Sequence, residues 1–527
     1  MNDSLKHYRD LLDTAEFEQL QQAVQRPLPS AIRINTLKIS VDDARRNWPA
    51  WYGWQVRPVP FCGAGWQVMG ESIAKTLEHK MGFYYIQDAA SMLPAEMFDF
   101  GDPRTTSSAS TLSATSASSV EPSKGAAIAK AHSCAPHPST GSGCSEENAS
   151  EVNPLVLDMA AAPGGKTTHL MCRMGDRGLV IANDANRSRI PPLRAKLQDW
   201  GAMNAAVTTY PGEQFGSWFP ELFDKVLLDA PCSGESLRSA ERHKMQPVST
   251  KEREALHRRQ VDLLASAFQA LRPGGEVVYA TCSLAPEEDE AVLDALLNLY
   301  PHQATIEAVG HLLPVPAPAL ASDGERVFHT QVRRAIRLWP HLVDTSGFFA
   351  ALIRKQGSVN AQPSQPPVRS LEGAGFARMG QRETASVCDR LLQDYGFDFE
   401  AVIERQALAL WERGELIYAI PELFLVHFAD LPCVSTGMQV GELDEGTGVI
   451  PSHELVARFG AQFAGRRLTL AKDQVGVWLG GRDLRGVQTA YASGEIILLE
   501  DERIRFLGLG KVLSERIRNL LPRRLVY

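Results

Sequence analysis

Apolar and polar positions follow two rhythms along this chain. Between Pro154 and Lys355, short apolar runs alternate with stretches whose apolar residues fall at helical spacing. "PLVLDMA" reads as a strand, and "GKTTHLMCRM" opens a helix. "GLVIANDA" is a second strand, and "RIPPLRAKLQDWG" holds a helix after its prolines. "AAVTTY" and "DKVLLDAP" are strands. "REALHRRQVDLLASAFQALRPGG" is a helix stopped by Pro-Gly-Gly, "EVVYATCS" a strand, and "PEEDEAVLDALLNL" a helix. This order predicts an α/β fold, a doubly wound, mainly parallel sheet of the Rossmann type, over residues 154–355. Ligands of such sheets sit beyond the carboxyl ends of the strands. The residues just after each strand are therefore the ones to search for chemistry.

The flanks read differently. Residues 1–100 mix helical and strand patterns: "SLKHYRDLLDTAEFEQLQQAV" is helical until "RPLP" stops it, and "AIRINTLK" (Ala31 to Lys38) alternates like a strand. Arg33 and Lys38 on that strand read as solvated edge charges, or as groups that face phosphates. Residues 101–153 are Ser, Thr, Ala, Gly and Pro with few large apolar side chains, which predicts a disordered insertion. Residues 356–375 form a Pro/Gln/Ser linker. Residues 376–527 are a second α+β region, ending in a cluster of Arg503, Arg505, Lys511, Arg516, Arg518, Arg523 and Arg524. That cluster is either a solvated helix face or an RNA-contacting patch.

Composition narrows the class. At 527 residues the chain exceeds one core, and 54 Lys+Arg against 62 Asp+Glu leave a net charge of −8. Any affinity for nucleic acid must come from local patches. The polar start "MNDSLKHYRDLLD" lacks a signal sequence, and no long apolar run predicts a membrane span. The eight cysteines form no CxxC, which argues against a zinc site or disulfide scaffold and for reduced thiols in a cytosol. Cys134 and Cys144 in the insertion are incidental, as is the sequon at Asn148.

The first central strand ends in "LDMAAAPGGKTTHL". Gly164 and Gly165 remove side chains where backbone must approach a ligand, just before a helix N-terminus. "AAAPGGKT" misses the P-loop pattern GxxxxGK[ST] by one residue: Ala160 stands for its first Gly, and Pro163 lacks an N–H. "VLLD" imitates the Mg²⁺-holding strand of such proteins, so an NTPase is the rival reading. Against it, Asp184 follows the next strand, placed to bond ribose hydroxyls. A nucleoside cofactor without a phosphate cradle fits both features, and S-adenosylmethionine is one.

Two cysteines also follow strands: Cys232 after "LLDAP" and Cys282 after "VVYAT". Both can face one crevice. Carbon 5 of cytosine is too electron-poor to take a methyl group unless a thiolate first adds to carbon 6. Such chemistry needs one thiolate, an acid to steady the N3 and amine edge, and help with elimination. Asp229 suits the second task. A thiol must lose its proton more readily than usual to attack. Ser283 and Pro286 look like the cap and first turn of the next helix, whose N-terminus would favour a thiolate, while Glu287, Glu288, Asp289 and Glu290 oppose it.

Together "RINTLK", "GFYYIQDAASMLPA", "DMAAAPGGKT", "LLDAPCSGE", "YATCSLAPEEDE" and "RLWPHLVDTSGFFAALI" resemble the Sun-type family of RNA cytosine-carbon-5 methyltransferases, over most of residues 30–355. The tail "GLGKVLSERIRNLLPRRLV" and the long extension resemble the subgroup that modifies small-subunit ribosomal RNA in bacteria. The resemblance implies a class I methyltransferase fold, an N-terminal α+β RNA-binding domain, a C-terminal PUA-like RNA-binding domain and S-adenosylmethionine as cofactor. It implies that Cys282 is the nucleophile and that Cys232 assists product release. Cofactor contacts carry over to Ala160, Ala161, Ala162, Pro163, Gly164, Gly165, Lys166, Asp184 and Asp229. The implied substrate is 16S ribosomal RNA, helix 44 of the decoding region, within the 30S subunit, with transfer RNA as the alternative. A cytoplasmic monomer is implied. Three departures stand out: Ala160 replaces the usual Cys, Pro211 replaces an Asp near the adenine, for which Glu213 is a possible substitute, and the insertion is foreign to the pattern.

Overall fold

In a computed structural model that describes residues 5, 8–70, 73–101, 153–235, 248–444 and 448–526, the N-terminal pattern resolves into helices over a small sheet. Helix α1 (Thr14–Gln25) starts where the Asp13 side chain accepts the Glu16 N–H, and it ends two residues before Pro27. The strand expected over Ala31–Lys38 is shorter, β1 (Ala31–Ile34). After α2 (Val41–Tyr52) come β2 (Gln55–Val59), β3 (Cys62–Met69) and β4 (Tyr84–Ile86), paired antiparallel in the order β2-β3-β1-β4. Trp48 of α2 packs on Trp66 and Tyr84 to close this core.

The central rhythm gives β5 (Leu155–Asp158), α3 (Gly165–Met174), β6 (Leu179–Asn183), α4 (Ile190–Trp200), β7 (Ala205–Thr208) and β8 (Phe223–Asp229). Then follow α5 (Thr250–Ala270), β9 (Leu271–Thr281), α6 (Glu290–Leu299), β10 (Ala304–Ile306), β11 (Ile336–Leu338) and β12 (Phe348–Lys355). Strands β5, β6 and β7 are buried along their whole length, as apolar runs covered on both faces must be. The sheet order is β10-β12-β9-β8-β5-β6-β7, with β11 beside β12. Strands β5 to β9 are parallel to their neighbours, and β12 runs antiparallel to β9. The order reverses between β5 and β8, which is where a doubly wound sheet opens its crevice. The expected fold class is therefore observed.

Local boundaries differ from the sequence reading at three places. Helix α4 takes both prolines into its first turn, where a missing N–H costs nothing. Helix α5 ends at Ala270, before Pro-Gly-Gly, because β9 already begins at Leu271. Helix α6 starts at Glu290 rather than at Ser283–Pro286.

Among the described residues, 376–527 contribute two five-stranded sheets. They are fastened to the central sheet. The short strand Ser435–Thr436 pairs antiparallel with β7 as an added edge strand. The Tyr210 hydroxyl donates to the Pro432 carbonyl at 2.6 Å, and Arg458 pairs with buried Asp176 at 2.6 Å. The predicted insertion, with Cys134, Cys144 and Asn148, lies outside the described residues. No described helix is long and apolar enough to cross a membrane.

Candidate active site

The carboxyl ends of four parallel strands converge on one crevice. Strand β5 delivers Asp158, β6 delivers Asp184, β8 delivers Asp229 and then Cys232, and β9 delivers Cys282. The two sulfur atoms lie 3.1 Å apart, although the residues are fifty positions apart in the chain. Lys166, at the start of α3, reaches across the switch point and donates to Asp229 Oδ2 at 2.7 Å. Its ammonium also lies 5.5 Å from the centre of the Phe348 ring. Asp229 Oδ1 makes no hydrogen bond among the described residues.

The loop from Ala160 to Lys166 is braced from several sides. Gly164 has φ +104°, a left-handed value that glycine adopts without strain, and it ends the loop as the N-cap of α3. At Gly165 a Cβ would come within 3.0 Å of the Tyr85 ring of the N-terminal region. That glycine thus admits a neighbouring domain, whereas the sequence reading assigned it to ligand approach. The Ala162 N–H donates to Asp184 Oδ2 at 3.2 Å, and the Asn186 N–H donates to Oδ1 at 2.9 Å. Arg189 pairs with the same carboxylate at 3.3 Å. Thr167 is buried and donates to Asp158 Oδ2 at 2.6 Å.

The electrostatics separate the two thiols. Cys282 is held below the ordinary thiol range, chiefly by its hydrogen bond with Cys232. Burial and the Asp229 charge oppose this, and Lys166 assists it. Cys232 is pushed well above the ordinary range by the same hydrogen bond, by burial and by the charges of Cys282, Glu288 and Asp229. The acidic cluster after Cys282 therefore bears on the other cysteine. Asp289 accepts the Thr281 hydroxyl at 2.6 Å, and Glu290 forms a two-pronged pair with fully buried Arg337. The helix N-terminus invoked for the thiolate begins eight residues on, so the hydrogen bond with Cys232 takes its place.

Other expectations change as well. Arg33 faces neither solvent nor phosphate. It is fully buried and donates to the Gly165 carbonyl at 2.9 Å and the Thr168 hydroxyl at 2.7 Å. Lys38 donates to the carbonyls of Met81 and Asp199, each at 2.7 Å. Both lock the N-terminal sheet to α3 and α4. Glu213 faces Arg259 at 3.4 Å. The basic C-terminal cluster is spread over strands, turns and the short 3-10 helix Arg523–Leu525, not along one helix face. Arg505 pairs with Asp501 and Glu78, Arg516 with Asp483, Arg524 with Asp199 and Glu454, and Arg503 stacks on Trp51. Lys511, Arg518 and Arg523 make no ion pair among the described residues.

The donor set fits S-adenosylmethionine better than a nucleotide triphosphate. Asp158, Asp184 and Asp229 cannot hold a polyanion, and the two cations beside them, Lys166 and Arg189, are already paired with Asp229 and Asp184, which suits a cationic sulfonium better. Asp158 Oδ1 is buried and has no hydrogen-bond partner. A P-loop would turn the Thr167 hydroxyl toward Mg²⁺, and here it is turned into the protein.

Comparison with known proteins agrees. Residues 148–354 match the model of the 16S rRNA methyltransferase RsmB/F family, and residues 2–89 match the N-terminal domain of 16S rRNA methyltransferase RsmF. The ribosomal RNA small subunit methyltransferase F of Klebsiella pneumoniae (strain 342) is 32% identical over 97% of this chain and 93% of its own. That of Vibrio cholerae (strain M66-2) is 30% identical over 98% and 95%. A methyltransferase homolog from Pyrococcus horikoshii superposes with a TM-score of 0.50 and 29% identity, covering 67% of this chain and 99% of that one. The cofactor of this class is S-adenosylmethionine. A Rossmann-like sheet with this crevice, matched across nearly its full length by such relatives, belongs to the ribosomal RNA small subunit methyltransferase F family.

Proposed function

We propose that this enzyme methylates carbon 5 of a cytosine in small-subunit ribosomal RNA through a covalent Cys282–cytosine adduct. The observation that carries this reading is the sulfur pair, two strand-end thiols 3.1 Å apart beside the Lys166–Asp229 pair.

The residues assemble the reaction in order. The Cys282 thiolate adds to carbon 6, which turns carbon 5 into an enamine-like nucleophile. Lys166 holds Asp229 by one oxygen, and the other is left to accept from the cytosine amine, while N3 takes a proton from solvent as the thiolate adds. The bound cofactor supplies an electrophilic methyl group. After transfer, water takes the proton on carbon 5, and the electrons of that C–H bond break the carbon 6–sulfur bond and expel Cys282 as its thiolate. The negative charge returning to its sulfur is received by the Cys232 S–H, which gives Cys232 its role in release. Ala160 to Gly165, Lys166, Asp184 and Asp229 line the place for the cofactor. A base inside an RNA helix must be flipped to reach this crevice, at a cost of a few kcal/mol. The C-terminal sheets, in a PUA-like role with exposed Arg518 and Arg523, would supply address and grip.

Cys282→Ala should abolish methyl transfer. Cys232→Ala should accumulate an RNA–protein adduct through Cys282, seen as a band resistant to denaturing electrophoresis. An adduct through Cys232 in Cys282→Ala would reverse the roles. Bisulfite mapping of ribosomal RNA from a deletion strain identifies the nucleotide, with helix 44 of 16S RNA as the expected place. A missing mark in transfer RNA instead would move the substrate there.

A further inference from the structure

Each reactive cysteine is followed by a serine, Ser233 and Ser283, and both serines end on one carboxylate. The Ser233 hydroxyl donates to Glu288 Oε1 at 2.5 Å, and the Ser283 hydroxyl donates to the same oxygen at 3.0 Å. The Ser233 N–H donates to Oε2 at 2.9 Å, and Gln260 Nε2 donates to it at 3.0 Å. That Gln260 amide, on α5, also holds the Pro231 carbonyl at 2.9 Å. Glu288 is fully buried, and its own backbone is fixed: its N–H donates to Ala285, and its carbonyl accepts the Tyr279 hydroxyl at 2.5 Å.

We infer that Glu288 is a positioning residue, clamping the two cysteine-bearing loops so that their sulfurs stay at hydrogen-bonding distance. Four donors converge on it, and only an ionised carboxylate can accept from all four. A glutamine there keeps the shape but loses the charge, and both serine hydroxyls must turn round to accept from its amide. The loops leave neighbouring paired strands, β8 and β9, whose last backbone tie is the Ala230 N–H to the Ala280 carbonyl at 2.8 Å. Among the described residues, the hydrogen bonds through Glu288 and the 3.2 Å approach of the two serine hydroxyls join them side chain to side chain beneath the sulfurs.

The charge matters as much as the shape. Arg253, on α5, pairs with Glu235 through Nη2 at 2.9 Å, and its Nη1 stands 3.9 Å from Glu288 Oε1. Asp289 and Glu290 are turned to Arg337. Asp229 and Lys166 face the sulfurs from β8 and α3. Within this setting, Glu288 is a negative charge beside Cys232 that disfavours its ionisation, while Lys166 favours that of Cys282. Polarity of the pair is thus written into the clamp. Its bearing on methyl transfer rests on the proposed function, whereas the inequality of the thiols does not.

The test is alkylation of the reduced, full-length enzyme with iodoacetamide, without RNA, read by peptide mass spectrometry from pH 6 to 10. In the wild type Cys282 is labelled first and Cys232 only at higher pH. In Glu288→Gln the ratio of the Cys282 to the Cys232 labelling rate at pH 8 should fall at least tenfold. Glu288→Asp, which restores the charge with shorter reach, should recover part of that ratio. In methylation assays Glu288→Gln should lower kcat and leave KM for RNA and cofactor within twofold, because Glu288 is buried beneath the crevice. A folded Glu288→Gln whose labelling ratio stays within twofold of wild type overturns the inference. If that variant does not fold by circular dichroism, the double variant Ser233→Ala/Ser283→Ala decides. A threefold or greater fall in its ratio supports the clamp, and an unchanged ratio overturns it. Loss of the proposed reaction shows up separately, as wild-type enzyme that labels asymmetrically yet leaves no 5-methylcytosine.

Discussion

Asp158→Asn should change how stability depends on pH. Asp158 is fully buried at the end of β5, and its carboxyl is raised from 3.8 to about 7, first by burial and then by the Asp229 charge, against the Thr167 hydrogen bond. A group raised on folding is protonated in the native state where the unfolded chain is already ionised. Its stabilising contribution is therefore complete below the unfolded value and is lost as pH rises through about 7. At ~1.36 kcal/mol per pH unit, the loss totals about 4 kcal/mol, of which about 2 kcal/mol falls between pH 5.5 and pH 8.5. Asparagine cannot ionise, and its carbonyl can still accept from Thr167. Any cost of burying its amide is the same at both pH values and cancels in the comparison. Urea unfolding of both proteins at pH 5.5 and pH 8.5 reads the difference directly. The variant should gain about 2 kcal/mol on wild type between the two conditions. An equal gap at both pH values would falsify the account of Asp158 as a carboxyl kept neutral by burial.

Arg337→Met leaves Glu290 and Asp289 buried without their cation, so it should cost about 3–5 kcal/mol in urea unfolding; a loss below about 1 kcal/mol would contradict the pairing. Arg33→Met removes the charged donor to the Gly165 carbonyl and the Thr168 hydroxyl and should weaken S-adenosylmethionine binding about fivefold or more by calorimetry, the effect of losing a charge-assisted hydrogen bond at ~1.5–3 kcal/mol. An unchanged Kd would show that this arginine serves packing alone. Gly164→Ala must hold φ +104° with its Cβ 3.0 Å from Leu193 Cδ1, so the thermal midpoint should drop, reflecting about 1–3 kcal/mol of strain. A midpoint equal to wild type would mean that the loop rearranges at no cost.

The sheet was readable because its strands obey a rule visible in one dimension. A parallel strand buried on both faces is a continuous apolar run, and "LVLD", "LVIAN" and "VLLD" are such runs with polar ends. Helix α5 was readable too, although its capping box at Ser249 and Glu252 is stronger punctuation than its apolar spacing. The start of α6 was not. Ser283 has the chemistry of a cap, but its hydroxyl accepts from Ala285 N–H and donates to Glu288, so it shapes a turn. Local signals cannot tell a cap from a turn when the deciding partner comes from the fold. The same holds for Arg33. A basic residue in a short strand looks solvated until a second domain covers it, and the donors and acceptors that satisfy it lie more than a hundred residues away. The candidate site residues could be named from the strand ends. That the two sulfurs touch, and that Lys166 holds Asp229, depends on how β8, β9 and α3 stand together.

The two-residue strand Ser435–Thr436 limits how freely this protein can be recombined. By completing the outer edge of β7, it makes the C-terminal half part of the catalytic sheet rather than a cartridge attached by a tether. A chain cut after β12 would bare the N–H and C=O groups of β7, an invitation to strand pairing between molecules. Grafting another RNA-binding module at that point would meet the same open edge. The unit that can be exchanged between proteins of this kind is therefore larger than the catalytic sheet, and it includes the segment that closes it.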